Sequence, residues 1–276
     1  MTTSSPPTRR VRRQLRAEQR MQAQEQRWRQ QRFAVPHRVD GPKVTLGVAW
    51  FLGLLAATTL TPKLVAIFVL PAAAIAALQT AHAWEREASI DRQLAAGLTV
   101  VVAATGLFDS ALWLGMGVVV ATLAIAAYAG ATVTGRGAQP LQFAELTVRC
   151  AIPMGVAAGS LTLLASQHVG AFVALLCLVS AYESGDFLIG SGAVNDVEGP
   201  AAGVVAVGIV GAGVWLLAPE PLTTTIIPFF VALTALACPL GQIFGSALLP
   251  RGDAWAPGLR RIDSYLLAAP IWLLLL

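Results

Sequence analysis

Of the 15 carboxylates in the chain, twelve follow residue 43, and they are not spread evenly. Two stretches hold the side chains able to do chemistry. The first carries Glu183, Asp186, Asp196 and Glu198, with no Lys or Arg from residue 182 to residue 203. The second, residues 246–264, carries Ser246, Arg251, Asp253, Arg260, Arg261, Asp263 and Ser264. In a chain this apolar, an ionised side chain is costly unless it is paired, hydrated or bound to a cation. Three partners are open to the acidic stretch: the arginines of the second stretch, a divalent metal held by oxygen ligands, or water. Glu183 and Asp186 are three residues apart, which places them on one face if the segment is a helix end. Arginine adds the planar, two-pronged donor geometry that suits phosphate and carboxylate. The pattern points to a polar site for a charged ligand.

The elements that must hold these residues are membrane helices. The chain is 276 residues long, 56% hydrophobic and only 12% charged, against about 25% charge in an ordinary soluble domain. The charge is also divided. Residues 1–43 hold 11 of the 19 Lys and Arg and 3 acids, so a basic polar tail precedes an apolar, slightly acidic body. A helix crossing the hydrocarbon layer needs about 20 mainly apolar residues. Nine runs meet or approach that length: roughly 44–60, 64–84, 93–108, 110–133, 148–166, 169–182, 200–217, 223–240 and 264–276. The expected fold is therefore an all-α, polytopic transmembrane bundle of about nine spans. Two units are expected, a basic cytoplasmic tail over residues 1–43 and a transmembrane domain over 44–276. Pro71 and Pro153 are places where spans would kink.

Basic residues collect on the cytoplasmic side of a membrane protein. With the N-terminus inside, 18 of the 19 Lys and Arg fall inside and only Lys63 falls outside. The expected location is the cell membrane, multi-pass, with both polar stretches facing the cytoplasm. No cleavable leader is expected, because the first apolar run begins only after some forty polar residues. The tail itself reads as a solvated helix that helps set topology, or as a segment attracted to anionic headgroups.

Several chemistries are excluded as unsupported by spacing. Cys150, Cys177 and Cys238 and the three histidines form no metal-ligand pattern, and there is no P-loop, nucleophile elbow or HExxH. Gly155/Gly159, Gly199/Gly203 and Gly241/Gly245 have the four-residue spacing that lets helices approach closely, which leaves a homodimer open. Broken spans around Pro153 and Pro239 would also suit a small transporter, although the two halves show no internal repeat.

From about residue 170 to residue 276 the chain resembles the integral-membrane phosphatidate cytidylyltransferases, which make CDP-diacylglycerol from CTP and phosphatidate. The likeness rests on Pro257-Gly258 followed by Arg260-Arg261-Ile262-Asp263-Ser264 and a last apolar run. Ser246 and Pro250-Arg251 stand before it. Upstream are Glu183-Ser184-Gly185-Asp186-Phe187 with Gly190, and Glu198-Gly199 with Gly203. The resemblance implies a protein of phospholipid biosynthesis binding CTP and phosphatidate, or another anionic lipid, with no nucleic-acid partner. It implies Asp263, Arg261 and Asp253 as catalytic residues, with Asp263 and Asp253 holding Mg²⁺. Ser246, Arg251, Arg260, Glu183, Asp186 and Glu198 would bind nucleotide and phosphate. Arg260 stands where that family has the first acid of its Asp-Arg-x-Asp tail. The alternative is a non-catalytic paralogue that scaffolds or regulates a lipid enzyme.

Overall fold

The computed structural model describes residues 43–132, 139–191, 195, 197–252 and 254–276. They form nine α-helices and no strand: α1 (Lys43–Leu60), α2 (Val65–Trp84), α3 (Arg92–Ala104), α4 (Ala111–Thr132), α5 (Pro140–Gln167), α6 (Val169–Gly190), α7 (Glu198–Leu217), α8 (Ile227–Leu248) and α9 (Leu259–Leu275). Short 3₁₀ turns, Pro62–Leu64 and Thr105–Phe108, precede α2 and follow α3. Each of the nine apolar runs in the sequence corresponds to one helix. Six stretches, Pro62–Trp84, Ala111–Ala131 and helices α5 to α8, are long and apolar enough to cross a membrane, so the chain is a multi-pass membrane protein. Gly47–Leu60 and Arg92–Phe108 are shorter apolar helices.

The post of the bundle is α5, with 28 residues, or about 42 Å at 1.5 Å per residue. It packs against α2, α3, α4, α6 and α9, and residues 157 to 165 along it are all buried. By contrast α4 and α7 turn large side chains outward, among them Val119, Val120, Leu123, Ile209 and Leu216. Helices apolar on all sides fit a lipid surrounding, where outward-facing Leu and Val need no cover. Pro71, Pro153, Pro239 and Pro270 all lie inside continuous helices. The spans expected to kink at Pro71 and Pro153 are each one continuous helix.

Five of the six paired glycines, Gly155, Gly159, Gly203, Gly241 and Gly245, pack closely against other parts of the chain. Gly155 faces α3, Gly159 faces Leu114 of α4, and Gly203 faces Tyr182 of α6. The third pair lies where α8 meets α9. A methyl group on Gly241 would collide with the Asp263 carbonyl oxygen, and one on Gly245 would lie 2.9 Å from Asp263 Cβ. Only glycine at these positions lets the two helices cross where they do.

Helix ends differ most from the apolar runs. Helix α5 begins at Pro140 instead of 148, α6 continues to Gly190 instead of ending at 182, α8 reaches Leu248, and α9 starts at Leu259. Residues 182–190, which carry Glu183 and Asp186, are therefore the last turns of α6. Ser246 belongs to the last turn of α8. Apolar length marks where lipid ends, while a helix continues into polar surroundings as long as its backbone bonds are met within it.

Candidate functional site

Extending α6 and starting α9 early brings the two polar stretches together. Glu183 and Asp186 of α6 and Arg260, Arg261 and Asp263 of α9 line one cavity of about 630 Å³. Gln242 of α8 and the α1 side chains Val48, Trp50, Phe51 and Leu52 complete its wall. Val48, Leu52 and Leu188 line the cavity and are also 53%, 55% and 72% exposed, so its mouth opens between α1 and α6 onto an apolar surface. The cavity is thus charged on the α6–α9 side and apolar on the α1 side.

Its deepest charged contact is the pair Arg260–Asp263, one turn apart on α9. Arg260 Nη1 lies 3.7 Å from Asp263 Oδ2, and the side chains are only 7% and 5% exposed. Arg260 Nη1 also donates to Ser246 Oγ at 2.8 Å, and Nη2 donates to the Gly252 carbonyl at 3.1 Å. Ser246 can accept because its own hydroxyl donates to the Gln242 carbonyl one turn earlier. Asp263 Oδ1 accepts the Ser264 backbone N–H at 2.9 Å. One guanidinium therefore joins α8, the loop after it and α9. The loop is held from the other side as well: Trp84 Nε1 donates to the Leu248 carbonyl, and the Gly258 N–H donates to Gln79 Oε1.

A second buried network runs from α6 to α8. The Tyr182 hydroxyl donates to Gln242 Oε1 at 2.9 Å, and Gln242 Nε2 donates to Asp186 Oδ2 at 3.1 Å. A carboxylate accepts only, so the amide must turn its NH₂ to Asp186 and its oxygen to the phenol. Glu183 sits between the two networks, with Asp263, Arg261 and Asp186 as its charged neighbours. Arg261 is half-buried and faces α1, where a methyl group on Gly47 would lie 3.5 Å from Nη1.

Of the side chains singled out by sequence, Glu183, Asp186, Arg260, Arg261 and Asp263 share the cavity, and Ser246 joins them through Arg260. Two do not line it. Glu198 is an exposed first-turn residue of α7 whose carboxylate accepts from Asn195 Nδ2, while Asn195 Oδ1 accepts the Val197 and Glu198 N–H groups. This is the work of a helix start, where acids are favoured. Arg251 is exposed at the loop. Asp196 and Asp253 lie outside the described residues. Gln242 and Tyr182 were missed by sequence reasoning. The available signal was a glutamine inside an apolar helix, one turn before Ser246 and between Gly241 and Gly245.

Of the two residues expected to hold Mg²⁺, only Asp263 is among the described residues. Among the described residues no three His, Cys, Asp or Glu side chains gather as a ligand shell. Both Asp263 oxygens already face a donor, one of them a guanidinium. The arrangement places three carboxylates and two guanidiniums beside an apolar wall, which suits a ligand with a charged and an apolar part. In comparisons with protein-family models, curated proteins and solved structures, none matches the chain.

Proposed function

We infer that this chain is a phosphatidate cytidylyltransferase-like protein of phospholipid biosynthesis. In this reading it crosses the cell membrane about nine times with its N-terminus in the cytoplasm. Its cavity takes the phosphate of phosphatidate, or of another anionic lipid, together with a CTP-like nucleotide. The observation that carries the reading is the convergence of Glu183 and Asp186 with Arg260, Arg261 and Asp263, from opposite ends of a segment of some eighty residues, on one cavity. That cavity opens between apolar helices, as entry from a bilayer requires. Arg261, at its α1 side, is the guanidinium placed to meet a phosphate, and the α1 wall accommodates the start of the acyl chains. The sidedness of Lys and Arg supports the orientation.

The reaction implied is attack of a phosphatidate oxygen on the α-phosphorus of CTP. A phosphorus–oxygen bond forms there, the bond to pyrophosphate breaks, and CDP-diacylglycerol is left in the membrane. Labelled CTP and phosphatidate vesicles test it. The reading predicts lipid-soluble CDP-diacylglycerol, reduced in Arg261→Gln. Folded protein that makes none removes the enzymatic claim.

One observation favours a second reading, a non-catalytic paralogue that scaffolds or regulates a lipid enzyme. Arg260 already neutralises Asp263, the retained acid of the family-like tail. A stable protein partner that copurifies with both wild type and Asp263→Ala would support this reading.

A further inference from the structure

We propose that the Arg260 guanidinium is the resident cation of Asp263, which makes this aspartate closed to divalent metals. The proposal deepens the reading of the cavity by stating what holds its deepest acid. It stands whether or not the protein turns over CTP.

Three features lead to it. The first is charge: Asp263 Oδ1 accepts the Ser264 N–H, and Oδ2 forms an ion pair with Arg260 Nη1 at 3.7 Å. A metal at Oδ2 would have to share the carboxylate with a cation pinned beside it. The second is the pinning. Ser246 Oγ and the Gly252 carbonyl hold the guanidinium at 2.8 and 3.1 Å from two further segments. It cannot swing away without leaving those acceptors unmet in a buried place. The third is space. A methyl carbon on Gly245 would stand 2.9 Å from Asp263 Cβ, so α8 closes that side of the aspartate. Mg²⁺ requires six ligands at about 2.0–2.1 Å and keeps several of its waters. The close crossing of α8 and α9 removes the α8 side of Asp263 from that shell, and on the cavity side a guanidinium at the same carboxylate repels a second cation. Arg260 and Arg261 thus divide the work of two adjacent arginines: one neutralises the site from within and the other faces its ligand.

Manganese, which replaces Mg²⁺ and is seen directly by EPR, gives the test. The full chain in nanodiscs is titrated with Mn²⁺ as wild type, Asp263→Asn, Arg260→Asp and the double variant. The expected result is equal Mn²⁺ uptake by wild type and Asp263→Asn. Arg260→Asp should gain affinity by about tenfold or more, as changes around a metal ligand do, and the double variant should lose that gain. Wild-type Mn²⁺ binding that weakens severalfold in Asp263→Asn would overturn the proposal. If the variants do not fold, Fe²⁺-directed hydroxyl-radical cleavage of wild type alone decides. A cut beside Asp263 overturns the proposal, and its absence there, with cleavage elsewhere as the positive control, supports it. Phosphatidate binding is a separate readout, so failure of the metal claim leaves the lipid reading standing.

Discussion

Two acid–base pairs sit in different surroundings and show what burial does to the same chemistry. Lys63 Nζ, in the turn before α2, lies 3.0 Å from Asp109 Oδ2, in the turn before α4, with side chains 52% and 53% exposed. In the cavity, Arg260 and Asp263 are farther apart at 3.7 Å, yet almost wholly enclosed. The shorter pair is the less consequential one. Water screens Lys63 and Asp109, and either can lose its partner and be hydrated. Neither Arg260 nor Asp263 has that recourse, because its alternative is an unpaired charge away from water. Distance describes the contact, and burial decides its consequence.

The largest expected effect follows from breaking the buried pair. Asp263→Ala strands Arg260, and we expect a loss of about 3–5 kcal/mol, the cost typical of an uncompensated buried charge. Unfolding in detergent, followed by circular dichroism, measures it. Replacing both residues with apolar ones of similar volume, Arg260→Met with Asp263→Leu, should recover most of that loss. A double variant as unstable as the single one would show that the helix crossing at Gly241 and Gly245, and not the charge, sets the cost.

A smaller loss is expected from Gln242→Leu. It removes the donor to Asp186 and the acceptor for the Tyr182 hydroxyl while keeping the side-chain volume. Leaving such groups unmet costs about 1–3 kcal/mol. Tyr182→Phe, which takes away one bond of the same network, should cost less than Gln242→Leu in the same unfolding measurement. The reverse order would mean that Asp186 does not depend on the amide.

The smallest effect belongs to the exposed pair. The Lys63 ammonium, with Ser166 behind it, holds the Asp109 carboxyl below its ordinary value of 3.8. A lowered acid contributes stability that is present above the ordinary value and is lost as pH falls through the folded value. Asp109→Asn should therefore unfold close to wild type at neutral pH, and any difference should vanish as the pH drops below 3.8. A difference that persists in acid would locate the effect in the backbone: Asp109 has a positive φ of 52°, and its carbonyl accepts from Gln167 Nε2. Raising the salt concentration should shrink the Asp109→Asn difference and leave that of Asp263→Ala nearly unchanged.

The same contrast explains how much the sequence reveals. The body's nine apolar runs each become one helix because lipid exposure is read directly from side-chain type. Helix ends are less legible: Glu183, Ser184 and Asp186 are polar, but polarity does not end α6, which continues to Gly190. The site was legible where charge is rare, so Glu183, Asp186, Arg260, Arg261 and Asp263 stood out. Charge alone could not separate Glu198, which works at the start of α7, from acids that line the cavity. Nor could it find Gln242 and Tyr182, whose roles depend on the α6–α8 crossing. That Arg260 is pinned while Arg261 faces the cavity depends on the helical turn between neighbours, about 100° per residue.

The measurement that bears most directly on the account is phosphatidate binding to the purified full chain in nanodiscs, wild type beside Arg261→Gln. Unfolding of the same samples serves as control. The account predicts saturable binding to wild type, at least about tenfold weaker in Arg261→Gln, as loss of a charge-assisted phosphate contact implies, with unchanged unfolding. Equal binding by both proteins would contradict it.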